Sequence, residues 1–426
     1  GVQMITIPIP YHMDTVPLAV PDDNFKALIA PRNGNGNFHK TEEEIMLEAL
    51  ANPLGTEMLR EMAKGKARVT LVTSDHTRSM PSKKTLPILL AEIRAGNPDA
   101  EITVLIATGL HRPTTEEEQR RMFGDDIVDN ERIIVSDAYN EEDFVDLGIL
   151  PSGASFHMHK AAHETDLLIT EGFIEPHFLA GFSGGRKSIL PGICSAETVN
   201  ENHSFRACAH PKSASGVMEG NPINEDMVVA ARRAGVGFIF NVTLDHSRRI
   251  SAAFAGDLEQ AHEAGVAFLT GELQCDAVQG DIVVTSNGGY PLDQNLYQTP
   301  KAVTTAETCA GEDGIIIMFA ACSDGIGGEY FEKVMRWGTP AEIEAKMKTI
   351  PPKETIPEMW CAQAYARILQ KNPVILVSDY PDHDAIRDMN LIPARTADEA
   401  LSIAFEMKGE QASVVVIPDG VCTLIV

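Results

Sequence analysis

Residues 67–109, "ARVTLVTSDHTRSMPSKKTLPILLAEIRAGNPDAEITVLIATG", decide the fold class. The first run, "ARVTLVTSD", is apolar over the length of a strand and lacks the alternation of a half-exposed one, so it reads as a strand buried on both faces. "SKKTLPILLAEIRAGNP" carries an apolar stripe at helical spacing and stops at Gly96 with Pro98 beyond. "EITVLIATG" then repeats the pattern of the first run. A strand, a helix and a second strand in this order make a βαβ unit, whose strands lie parallel in one sheet.

The pattern continues outward on both sides. "PTTEEEQRRMFG" is an acidic helix start, and "DLLITEGF" and "VGFIFNVTL" are further strands. A new unit begins at "GDIVVTSNGGYPLDQNLYQTPKAVTTAETC", followed by the strands "DGIIIMFAAC", "NPVILVSDY" and "ASVVVIPDG". The chain of 426 residues exceeds the roughly 250–300 at which a single core stops growing. The expected architecture is α/β: two α/β domains with mainly parallel sheets and an interdomain active-site cleft. The boundary is placed near Gly280, giving domains 4–279 and 280–426. Proline-rich alternation in "ITIPIPYHMDTVPLAVPDDN" predicts edge strands, and a Gly/Asn-rich turn follows at residues 31–44.

A formal net charge of −26 makes nucleic acid an unfavourable partner, and an anionic small molecule would need a local basic pocket. No apolar run reaches the length of a membrane span, so no membrane association is expected. The seven cysteines form no Cys-x-x-Cys pair, which argues against iron–sulfur clusters, zinc knuckles and a disulfide framework and favours a reducing cytoplasm.

Ligands of such sheets bind beyond the carboxyl ends of the strands. Three strand ends lead into polar loops, "VTSDHTRSMP", "ATGLHRPTT" and "TEGFIEPHFLAGFSGGRKS", each holding a histidine and a cationic residue. The last contains "GFSGGRKS", one residue away from a P-loop, with Arg186 where the second glycine should stand. Its distance from the preceding strand and the bulk of Arg186 argue against triphosphate binding, leaving a glycine-flexed loop that presents Lys187. Six of the thirteen histidines fall between His157 and His210; His157, His159 and His163 read as a solvated helix face, whereas His177 is boxed by Pro176 and Phe178. His203 lies in "SAETVNENHSF", which reads as a helix capped by Ser195 or Thr198. In the second unit, Gln298 and Lys301 stand one helical turn apart on one face.

Together "SDHTR", "ATGLHRPTT", "GFIEPHFLAGFSGGRKSILPG", "NENH" and "NGGYPLDQNLYQTPKA" resemble the lactate racemase family. The resemblance implies a nickel-pincer nucleotide, a pyridinium-3-thioamide-5-thiocarboxylic acid mononucleotide, attached covalently at Lys187, with His203 as a nickel ligand. It implies His111 and His177 as the acid/base pair for a 2-hydroxy acid, with hydride passing to the cofactor and a 2-keto acid as intermediate. Arg78, Gln298 and Lys301 would hold the substrate, Asp75 the ribose, and the amides of Gly184 and Gly185 the phosphate. The implied partners are a small anionic 2-hydroxy acid and the enzymes that make the cofactor. Ser79 and Leu179 depart from common family residues, which leaves lactate and longer 2-hydroxy acids as expected substrates. Two other readings are a zinc-dependent hydrolase or lyase using His111, His177 and His203, and a non-catalytic carrier of the nickel nucleotide.

Overall fold

The computed structural model describes residues 1–31 and 39–426. The Gly/Asn-rich turn expected at residues 31–44 falls largely on 32–38, outside the described residues. Two six-stranded sheets organise the chain. The first runs in the order Ile250–Gly256, Val236–Leu244, Leu167–Phe173, Arg68–Ser74, Glu101–Ala107 and Arg132–Val135. All its neighbours are parallel except the Ile250–Gly256 edge. The second sheet, Ile392–Ala394, Val374–Val377, Ile315–Phe319, Ile282–Ser286, Val414–Ile417 and Phe25–Leu28, is parallel throughout.

The central strands are buried on both faces because helices cover both sides, which is why their sequences are continuous Val/Ile/Leu runs. Helix Ser82–Gly96 packs Leu86, Leu89, Leu90 and Ile93 into the core formed by Val69, Leu71 and Ile102. Helix Glu116–Phe123 starts with a capping box between Thr115 and Glu118, as its acidic first turn leads one to expect.

The domain division at Gly280 needs correction at the N-terminus. Phe25–Leu28 pairs in parallel with Val414–Ile417 and so is an edge strand of the second sheet. The hairpin Met4–Tyr11 with Asp14–Pro21 buries Ile7, Ile9, Leu18 and Val20 against Ile282, Val284, Ile315 and Ile317. The proline-rich stretch expected to supply edge strands forms this separate two-stranded hairpin, while the edge strand itself, Phe25–Leu28, was not legible because its partner lies almost 400 residues away, at Val414. His157 and His159 lie on a strand, Ser155–His159, rather than a helix, and His159 is buried and caps the short helix Lys160–His163. Among the described residues no helix is long and apolar enough to cross a membrane.

Candidate active site

The carboxyl ends of Arg68–Ser74, Glu101–Ala107 and Leu167–Phe173 open into a cavity of about 390 Å³. Its opposite wall comes from the second domain, through Leu292, Asn295, Tyr297, Gln298, Lys301 and the segment Glu358–Cys361. The volume falls in the range of small-molecule and cofactor sites. His111, His177, His203, Arg78, Lys187, Gln298 and Lys301 all border this one space.

Asp75 ends the first strand and is 2% exposed. Its Oδ1 accepts from the Thr77 backbone N–H at 3.0 Å and from Thr77 Oγ1 at 2.6 Å, and its Oδ2 lies 2.9 Å from His111 Nδ1. Burial alone would push this carboxyl up, but the bonds from His111 and Thr77 and the charge of Arg78 outweigh it and hold Asp75 below the usual range. Asp75 borders the cavity and pairs with His111 across its wall. With Nδ1–H donated to Asp75, His111 presents Nε2 as a lone-pair acceptor.

His177 is arranged the opposite way. The loop from Glu175 folds back so that Pro176–His177 pairs with Gly181–Phe182, and His177 Nδ1 accepts from the backbone N–H groups of Leu179 at 3.2 Å and Ala180 at 3.0 Å. The proton of the neutral ring must then sit on Nε2. Burial first, and then the positive charges of Lys187, Lys301 and Arg78, keep this imidazole neutral.

Lys187 stands in a short 3-10 turn, Gly185–Ser188, at the cavity wall. Burial, reinforced by the charges of Arg78, Arg186 and Lys301, lowers its ammonium well below the ordinary lysine range, in the direction of the neutral amine. The turn is pinned by Arg186, 2% exposed, whose guanidinium donates to Asn224 Oδ1 at 2.7 Å and to the carbonyls of Phe182, Ala180 and Gly184 at 2.6, 2.7 and 3.1 Å. The side chain that spoils the P-loop pattern thus gathers the loop's carbonyls from inside. Replacing it by Met keeps bulk but leaves those acceptors unpartnered, so Arg186→Met is expected to lower unfolding stability by about 3 kcal/mol in chemical denaturation.

Gly185 does not serve as a phosphate donor. Its N–H is taken by Asn241 Oδ1 at 2.8 Å, and a Cβ there would lie 2.8 Å from the His262 ring, so the residue faces the protein interior. Gly184, at φ 82°, remains on the cavity wall.

His203 closes helix Ala196–Asn202, which Ser195 caps at its start. Its Nδ1–H donates to the Val199 carbonyl at 3.2 Å, and its ring packs on Trp360 with centroids 4.7 Å apart. Burial, then the charge of Lys187, pulls its pKa down to about 3, so Nε2 is an unprotonated nitrogen available to a metal. Gln298 ends a 3-10 turn and Lys301 opens helix Pro300–Ala310, so they reach the cavity from consecutive elements rather than from one helical face. Burial and the neighbouring Arg78 lower Lys301 to about 8, which leaves it largely charged at neutral pH.

A lysine amine whose proton burial loosens and a neutral imidazole with one nitrogen free, both bordering a cavity of this size, form a donor set that fits a tethered nucleotide carrying nickel. They do not fit a three-histidine zinc site: among the described residues no three potential ligands gather on one point. Ser79 and Leu179 are absent from the cavity wall, and Leu179 is core, so these departures do not shape the space for substrate.

Residues 11–216 match the lactate racemase N-terminal domain family and residues 275–426 the lactate racemase C-terminal domain family. The chain belongs to the lactate racemase family. It is 44% identical over 423 residues to the lactate racemase of Thermoanaerobacterium thermosaccharolyticum, covering 99% of each chain. The corresponding figures for the lactate racemase of Lactiplantibacillus plantarum are 43% over 423 residues, covering 99% of this chain and all of that one. The solved lactate racemase apoprotein of T. thermosaccharolyticum superposes with a TM-score of 0.96 at 43% identity, over 99% of this chain and 100% of that one. A Thermotoga maritima protein shares the fold at a TM-score of 0.66 and 19% identity, over 93% of this chain and 100% of that one. The expected two-domain α/β class and the expected enzyme class, an isomerase, both accord with this membership.

Proposed function

We propose that the protein interconverts the enantiomers of lactate, using a nickel-pincer nucleotide held by Lys187 and His203. The observation that carries this reading is the Asp75–His111 pair, 2.9 Å apart, bordering one cavity with His177, Arg78 and Lys301. When bound, the nucleotide supplies a reversible hydride acceptor for a carbon whose hydrogen is too weakly acidic to leave as a proton.

The chain's own groups do the rest. Arg78 and Lys301 hold the carboxylate, the guanidinium through a two-point grip, and Gln298 offers an amide to the adjoining oxygen. His111 Nε2 takes the hydroxyl proton, and Asp75 stabilises the imidazolium that results. Loss of that proton readies the carbon to give up its hydrogen with the electron pair to the acceptor the nucleotide would supply, which would leave the 2-keto acid. His177 meets the substrate oxygen from elsewhere in the cavity with an N–H, the form suited to the mirror pose. A carrier of the nucleotide would have no use for this substrate clamp and histidine pair. The cofactor would be supplied by separate biosynthetic enzymes. Seven free thiols accord with a reducing cytoplasm.

The test is to load the protein by coexpression with the cofactor-making enzymes and incubate it with L-lactate alone and D-lactate alone. Chiral chromatography is expected to show both samples converging on equal amounts of the enantiomers. Net consumption of lactate, or no interconversion by nickel-loaded protein, would exclude the reading.

A further inference from the structure

The cavity wall holds three strongly basic side chains, Arg78, Lys187 and Lys301, and among the described residues its only carboxylates are Asp75 and Glu358. In the racemase reading Lys187 is spent on the cofactor, and Asp75 is bound to His111. That leaves two wall cations for the substrate's carboxylate, Lys301 also feeling Glu175 off the wall, and one wall carboxylate not paired with a cation or histidine, Glu358, in the second domain.

Glu358 is placed with care by its surroundings. It sits at φ 70°, in the left-handed region that a residue with a side chain rarely adopts. Its Oε2 accepts from the Phe331 backbone N–H at 3.4 Å, and it fits because residue 328 is glycine: a Cβ there would come within 2.5 Å of that oxygen. The carboxyl is within electrostatic reach of His111, and it acts on Tyr297 and Cys361, which in turn feel Arg78 and Lys301. It thus borders the same cavity as the base and the carboxylate clamp.

We propose that Glu358 selects monocarboxylic over dicarboxylic 2-hydroxy acids. The inference rests on the racemase reading for the identity of the substrate class. With C1 held by Arg78 and Lys301 and the hydroxyl at His111, the second carboxylate of a diacid finds no remaining cation and meets the Glu358 carboxylate. Like charges a few ångströms apart in a partly buried site are strongly unfavourable. A neutral tail of the same size has no such penalty.

The test compares malate with its 4-amide, which matches it in size and differs in charge. Both are titrated as competitors of lactate racemisation by the nickel-loaded enzyme at pH 8, and as ligands of the cofactor-free full chain through the fluorescence of Trp360, which borders the cavity. The wild type is expected to prefer the amide by roughly tenfold or more. In Glu358→Gln that preference should shrink at least about fivefold, as it should in Glu358→Gly, which also relieves the left-handed backbone. Glu358→Asp, which keeps the charge, should retain the preference. An unchanged amide-to-malate ratio in both uncharged variants overturns the proposal, as does failure of the amide to bind in either assay. Failure of the racemase reading is a separate result, since it shows as absence of lactate interconversion while the fluorescence ratio is still measured.

Discussion

Lys187→Ala is expected to abolish covalent attachment of the cofactor and to lower racemase turnover by ~10³-fold or more, about 4 kcal/mol of barrier. An amine forms a carbonyl-derived bond only through its lone pair, and an ordinary exposed lysine carries almost none near neutral pH. Here burial removes the ammonium's hydration, and Arg78, Arg186 and Lys301 add repulsion, so the balance moves toward the neutral form. Lys187→Arg sharpens the experiment, since it keeps a long basic side chain that does not deprotonate. Intact-protein mass spectrometry after coexpression with the cofactor-making enzymes should find the added mass on wild type and on neither variant. A variant that still carries it would place the attachment elsewhere.

Asp75→Asn is expected to lower kcat by roughly 10²–10⁴-fold while folding and nickel content stay as in the wild type. The direction follows from Thr77. Its two donors hold Oδ1 of residue 75, so an asparagine there must keep its oxygen toward Thr77 and turn its NH₂ toward His111. The ring nitrogen facing it then becomes an acceptor, the proton moves to Nε2, and the base is lost without loss of shape. A merely structural Asp75 would instead lower stability and leave kcat per loaded enzyme intact. Stereochemical turnover assays alongside thermal melts separate the two, and a kcat within about threefold of wild type would reject the tautomer role.

Much of this site was legible along the chain because its parts sit where an α/β sheet must place them. His111 follows one strand, Arg78 follows another, and Lys187 lies in the loop after a third. What escaped the sequence were relations across distance. The role of Asp75 depends on the rotamer that Thr77 imposes and on a loop 36 residues away. Gly185 looked like an anion-binding amide until Asn241, 56 residues on, claimed its N–H. Arg186 read as a spoiled motif because nothing local shows that three backbone carbonyls and Asn224 converge on it. Glu358 carried no motif at all; a glycine thirty residues earlier, Gly328, was the only hint that its carboxyl needed room.

The opposite proton placement on His111 and His177 has a kinetic corollary. One ring is tied through Nδ1–H to a carboxylate, and the other accepts two amide protons at Nδ1. To serve as a base, His177 must give up Nε2–H, and its two amide donors oppose the tautomer that would allow it. The two directions of a racemase built this way do not run through equivalent proton donors. Enantiomers have equal free energy in water, so thermodynamics forces kcat/KM to be the same from either side. The asymmetry between the rings can therefore surface only as kcat and KM rising or falling together, with the slower enantiomer necessarily the one that saturates the enzyme first.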